Sequence, residues 1–176
     1  KTSDSLNGRP FIAYYLEANI KDRNLDFTTQ VGNGKRHTPQ EYFSMEDEPY
    51  VLVNASFFSF QTNQNLNLVM KNGKMLAYNT PALKAKNTDS FYYPTRSAIG
   101  ISKKRSVDAA WVFTDTAQKW PYAFQQKPIV AKGKKSDPGF EDLNTLDYWK
   151  WWRMQTAVGG GPMLIQKGEL FISNRE

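Results

Sequence analysis

Lys71-Asn72-Gly73-Lys74, set between the apolar runs 66–70 and 75–78, restricts the fold more than any other stretch of this chain. Asn-Gly between two apolar runs is the strongest short hairpin signal, because both central turn residues must tolerate positive φ. Short β-prone runs separated by Gly, Asn, Pro and Lys continue along the sequence. Residues 96–101 and 107–113 predict a second strand pair around the basic turn Lys103-Lys104-Arg105. Residues 163–165 and 170–172 predict a third, across Gln166-Lys167-Gly168-Glu169. Residues 11–20 and 25–31 read as a hairpin or adjacent strands, the second run ending in the turn Gly32-Asn33-Gly34. The apolar Val51-Leu52-Val53 makes 50–54 a candidate for a buried strand.

Helical signals are fewer. Thr38-Pro39-Gln40-Glu41 combines a capping threonine, proline at the first helical position and an acidic first turn, which predicts a short helix through Met45 closed by Pro49. Asp137-Pro138 opens a second helical segment over 141–153, where Leu143, Leu146 and Lys150 recur at helical spacing. The expected class is α+β: a β-rich mixed or antiparallel sheet with one or two helices. No solenoid repeat and no low-complexity linker interrupts residues 1–176, which predicts one domain.

Composition narrows the function classes. With 40% hydrophobic and 14% aromatic residues, the chain is neither disordered nor fibrous. No apolar stretch reaches the ~20 residues of a membrane-spanning helix, so no membrane span is expected. The first residues, Lys1-Thr2-Ser3-Asp4-Ser5, lack a basic-then-apolar leader pattern; either none exists or it was removed before this numbering begins. Cysteine does not occur, which excludes a disulfide framework and a thiolate zinc site. His37 is the sole histidine, so a multi-histidine metal site is excluded. Neither a phosphate-loop signature nor a dinucleotide fingerprint occurs, and no metal or cofactor is expected. The balance of 23 basic and 17 acidic residues gives +6, but the basic runs 103–105 and 132–135 are short and flanked by turn-like residues. Solvated loops explain them, with an anionic ligand or polymer as the other reading; no nucleic-acid partner is expected.

Four features could carry chemistry. Gly159-Gly160-Gly161-Pro162 is the least ordinary, since each glycine in regular structure costs roughly 0.5–1 kcal/mol relative to alanine. The run either lets backbone N–H groups form an anion-binding nest, or it is a bulge or tight strand crossing in the core. Asn54, before Ala55-Ser56-Phe57-Phe58, either presents an amide at a sheet edge beside a pocket walled by Phe57 and Phe58, or simply turns the chain. Arg96 opens a strand of small apolar residues and either binds phosphate or carboxylate bidentately or pairs with a structural carboxylate. Tyr148, Trp149, Trp151 and Trp152 form either a sugar-stacking or partner-docking platform or, for two of them, ordinary core. Asp108, Asp115, Asp142, Asp147 and Glu169 are the acid/base candidates, and their spacing does not pair them.

Taken in order, these segments resemble the phosphodiester glycosidase family. An Asn-Gly-Gly-Phe-Phe-like stretch is matched by Asn54 to Phe58, an Arg-Ser/Thr-Ala-Ile-Gly-Ile strand by Arg96 to Ile101, and a Gly-Gly-Gly-Pro-x-Leu-x-x-x-Gly block by Gly159 to Gly168. The resemblance spans residues 50–174 and implies an α+β domain that cleaves a sugar-1-phosphodiester or a related glycosidic bond. It implies a carbohydrate or sugar-phosphate ligand, Asn54 and Arg96 as catalytic residues, and Phe57, Phe58, Gly159, Gly160 and Gly161 against the substrate. It also implies a secreted or periplasmic location. Two departures matter. Ala55-Ser56 stands where the family carries two glycines, and neither the family's second Arg-Thr-Ala-Ile-Gly strand nor its Leu-Asp-Gly-Gly-Gly-Ser segment occurs in these 176 residues. The expectation is a domain truncated at its C-terminus that holds part of a site, or a naturally short, inactive relative.

Overall fold

In the computed structural model, which describes residues 2–80, 83–84, 90–93, 96–115, 117, 119–124, 131–134 and 150–170, the Asn72-Gly73 turn is a hairpin. Both turn residues take positive φ, 53° and 73°, as this two-residue loop requires. It joins β3 (Val69–Lys71) to β4 (Lys74–Ala77), preceded in the chain by β1 (Thr2–Leu6) and β2 (Arg9–Ala13). The remaining strands are β5 (Leu83–Lys84), β6 (Ser90–Tyr93), β7 (Arg96–Ile101), β8 (Val107–Asp115), β9 (Trp120–Phe124), β10 (Ala131–Lys134), β11 (Lys150–Trp151), β12 (Thr156–Gly159), β13 (Ile165–Gln166) and β14 (Glu169–Leu170).

Seven strands form the main sheet in the order β11-β9-β8-β7-β12-β3-β4, and every neighbouring pair is antiparallel. Strands β10, β6 and β5 make a second, three-stranded sheet, while β1-β2 and β13-β14 are separate hairpins. The class is therefore α+β and β-rich, with one short helix among the described residues. No helix among the described residues is long and apolar enough to cross a membrane.

Alternation along β7 and β8 sorts the core onto the two faces of the main sheet. Ala98, Ala110, Val112, Ala123 and Ala157 pack with Leu68, Met70 and Trp152 on one face. Trp111, Phe124 and Met163 pack on the other. Small residues predominate in the central strands of the first face, which leaves room for the Trp152 ring; its indole N–H donates to Asp108 Oδ2 at 2.8 Å. Buried Asn79 ties the sheet together through its amide. Its Oδ1 accepts from the Leu68 N–H at 2.9 Å, its Nδ2 donates to the Val112 carbonyl at 2.8 Å, and its own N–H donates to Thr114 Oγ1 at 3.0 Å.

The helix α1 (Pro39–Met45) forms where the capping signal predicts it. Thr38 Oγ1 accepts from the Glu41 N–H, and the Glu41 carboxylate accepts from the Thr38 N–H, which is a capping box. Lys71 holds the helix end against β3 by pairing with Glu46 at 3.0 Å.

Several expectations are corrected. Residues 50–54 are not a buried strand: Tyr50 is 95% and Val53 73% exposed, and no neighbouring strand pairs with the run. An apolar triplet does not by itself specify a strand to pair with. Residues 25–31 form no strand either. Their neighbourhood is held by side chains: Arg105 donates to the carbonyls of Ile20, Asp22 and Leu25, each at 2.6 Å, and Thr156 Oγ1 donates to the Phe27 carbonyl at 2.7 Å. Arg105 is thus a structural clamp and not a solvated loop cation. Strand β2 covers only Arg9–Ala13 and pairs with β1 instead of residues 25–31. Of the second predicted helix, residues 141–149 lie outside the described residues, as do Tyr148, Trp149, Asp142 and Asp147; Lys150–Trp151 is a strand paired with β9.

Candidate functional site

Small residues bring β12 close to its neighbours, and the glycine run begins where that strand ends. Gly159 is the Cα partner of Ala98 and donates its N–H to the Leu68 carbonyl at 2.7 Å. A Cβ on Gly159 would lie 2.9 Å from the Asn67 Cβ and 3.0 Å from the Leu68 nitrogen. Gly160 donates to the Ser97 carbonyl at 3.0 Å, and the Ser97 hydroxyl donates to the Gly161 carbonyl. None of the three glycines has positive φ. The demand for glycine at 159 is therefore spatial. The N–H groups of Gly159 and Gly160 are spent on carbonyls, so these two do not form an anion nest, and the tight strand crossing accounts for the first half of the run. Gly160 has open space where a side chain would project.

Phe57 belongs to the same cluster, since its ring edge lies 3.7 Å from where a Gly161 Cβ would sit. The carbonyl of Phe57 accepts from the Leu66 N–H at 2.9 Å, which returns the 57–66 loop to the residue before Asn67. Phe58 goes elsewhere. Its ring packs 4.9 Å from Phe60, and Arg36 lies over both rings at 5.8 and 5.1 Å. Asn54 is exposed and makes no side-chain hydrogen bond among the described residues.

Arg96 starts β7 opposite Val112 and neighbours Ser97, the residue that engages both Gly160 and Gly161. By strand alternation its side chain leaves the sheet on the face of Ala98 and Val112, whereas Ser97 faces Trp111. Arg96 Nε is buried with no hydrogen-bond partner. No described carboxylate pairs with this guanidinium. Asp108 lies four residues from Val112, about 13 Å along β8, and already accepts from Trp152. Asp115 caps its own turn by accepting from the Ala117 N–H at 2.8 Å. Glu169 is exposed on the β13-β14 hairpin.

Two further polar atoms are buried without a partner: Asn67 Oδ1, in a residue only 1% exposed that adjoins Gly159, and Ser56 Oγ. The structure therefore brings Phe57, Asn67 and Ser97 against Gly159–161 at one end of the sheet, with Arg96 opening β7 there on the face opposite Ser97, and leaves Asn54 and Phe58 outside these contacts. Ser97 and Asn67 carry no local sequence signal; only the strand register places them against the glycines. Two cavities lie elsewhere. One of about 370 Å³ is lined by Asp26, Phe27, Asn72, Lys103, Arg105 and Gln155, and one of about 520 Å³ by Asn7, Arg9, Pro10 and Phe11. The gathered cluster contributes to neither.

At the β11 edge of the sheet, Trp151 is half-exposed and packs on Trp120 with ring centroids 5.1 Å apart, with Arg153 over its ring at 5.8 Å. Trp152, by contrast, is core. His37 lies 3.9 Å from Glu41 and edge-on to Tyr42. No group of three or more potential metal ligands occurs among the described residues. No protein-family model, no curated protein and no solved structure matches the chain.

Proposed function

We propose that the chain contributes the anion-holding part of a hydrolase site for sugar phosphodiesters or related glycosidic bonds. The observation that supports this most is Arg96, a guanidinium whose buried Nε donor has no protein partner at the sheet end where the glycine run passes. A buried, unpaired cationic donor is expensive unless an anion completes it. Arg96 would hold the phosphate and stabilise negative charge as the glycosidic bond breaks. A secreted or periplasmic location belongs to the same proposal.

A specific observation favours a second proposal, a non-catalytic glycan- or anion-binding module. No described carboxylate sits beside Arg96 to act as acid or base, and Trp151 with Arg153 offers a separate exposed stacking surface. The two separate on one measurement: release of free sugar from a sugar 1-phosphodiester by the wild-type chain and by Arg96→Ala. Turnover that disappears in the variant supports the hydrolase. Saturable binding without turnover supports the module, and equal turnover in both proteins removes Arg96 from the mechanism.

A further inference from the structure

We infer that Asn67 is the specificity-determining residue of the Arg96 site, accepting a hydrogen bond from a hydroxyl on the sugar carbon next to the one that bears the phosphate. This rests on the proposal that Arg96 holds an anion.

Asn67 is 1% exposed, and its Oδ1 has no hydrogen-bond partner. It touches the position that a Gly159 side chain would occupy, and Gly159 is the Cα partner of Ala98. Cα partners in a ladder project to the same face, so Asn67 lies over the face that carries Ala98 and Arg96. Arg96 is two residues from Ala98, about 7 Å along β7. The face thus presents a buried donor, Arg96 Nε, and a buried acceptor, Asn67 Oδ1, each lacking a complement. Inorganic phosphate at neutral pH satisfies chiefly the donor. A ligand that carries an oxyanion and a neighbouring hydroxyl satisfies both, and a sugar 1-phosphate with a free hydroxyl on the adjacent carbon has that pattern.

A structural asparagine would behave differently. Asn79, in the same region, has its amide oxygen and nitrogen both engaged by backbone. Removing an acceptor that has no partner relieves a desolvation penalty, so loss of the Asn67 amide should leave the fold as stable as before, or more so.

The test compares binding of α-D-glucose 1-phosphate and its 2-deoxy analogue by the whole chain, by Asn67→Ala and by the near-isosteric Asn67→Leu. The Leu variant guards against a folding defect caused by lost volume. The wild type should prefer the hydroxylated ligand about tenfold, the worth of one good buried hydrogen bond. Either variant should bind both ligands alike, at the wild-type affinity for the deoxy analogue, with an unchanged or raised Tm. A wild type that binds both ligands equally, or a preference that survives both substitutions, overturns the role of Asn67 while leaving the anion site standing. Failure of the wild type to bind either ligand overturns both.

Discussion

Gly159 and Asn67 are so close that a single methyl group on the glycine would stand 2.9 Å from the asparagine Cβ. The Leu68 nitrogen, 3.0 Å away on the same side, is backbone and does not yield. Gly159→Ala should therefore destabilise the protein by about 1–3 kcal/mol through overpacking. Gly160→Ala meets nothing within 4 Å, and its φ is not positive. That change should be neutral or stabilising by about 0.4–1 kcal/mol, because alanine restricts the unfolded chain. Urea unfolding of the two variants measures the contrast, and equal losses would mean that β12 does not cross Asn67 this closely.

Asn79 should be among the most sensitive polar positions in the protein. Its side chain satisfies the Leu68 N–H and the Val112 carbonyl inside the sheet. Asn79→Ala leaves both backbone groups buried and unpaired, at about 1–3 kcal/mol for each group. A drop of several degrees in Tm is expected, with Asn79→Asp recovering only the bond from Leu68. A Tm within a degree of wild type would show that water replaces the amide.

Arg105 predicts a local effect. Its guanidinium donates to three carbonyls, those of Ile20, Asp22 and Leu25, and it lies over the Phe27 ring at 5.7 Å. Arg105→Lys keeps the charge and loses the fork, so residues 20–27 should exchange amide hydrogens faster and be cut sooner by proteases. Exchange in β7 and β8 should barely change. Uniform loosening of the whole sheet would refute a local clamp.

Much of this frame is legible in the sequence because the signals are local. Asn72-Gly73 dictates its own turn, Thr38 to Glu41 writes its own cap, and residues 96–101 carry a strand whose partner follows after one short turn. The misreadings share a cause. Val51-Leu52-Val53 is as apolar as a buried strand, but burial depends on a partner that the triplet cannot specify. Residues 25–31 alternate as a strand would, yet distant side chains, Arg105 and Thr156, take up their carbonyls. The site divides the same way. Arg96 and the glycine run stand out by composition, whereas Ser97 and Asn67 acquire meaning only when the β7-β12-β3 register sets them against Gly159 to Gly161. Phe57 and Phe58 look equivalent in sequence, and their opposite directions separate one from the glycines.

The capping box gives helix α1 a pH dependence. The Glu41 carboxylate is held below its ordinary value of 4.5, first by the backbone hydrogen bond from Thr38, then by the Thr38 hydroxyl, with His37 adding in the same direction. A depressed folded pKa means that the contribution is complete above the ordinary carboxylate value and fades as the pH falls through the lower, folded one. Fraying of α1 should therefore increase only on the acidic side of 4.5, and Glu41→Gln should flatten that dependence at the cost of a weaker cap at neutral pH. Amide exchange of residues 41–45 between pH 6 and pH 3 is the measurement. A wild-type profile that matches Glu41→Gln throughout would rule out the charged box.

Arg96 separates charge from geometry. If an anion completes its buried Nε, Arg96→Met should keep the fold, since it removes an unpaired donor while retaining most of the apolar stem. Stability should stay level or rise slightly. Affinity for a sugar 1-phosphate should fall about ten- to a hundredfold, the worth of a charge-assisted hydrogen bond. Arg96→Lys should recover part of that loss but not the planar fork, so its affinity should lie between the other two. Rising salt should weaken the wild type and the lysine variant and leave the methionine variant little changed. Three proteins with the same affinity and the same salt response would mean that the guanidinium holds nothing. A methionine variant that unfolds would instead make Arg96 a structural residue, satisfied within the sheet.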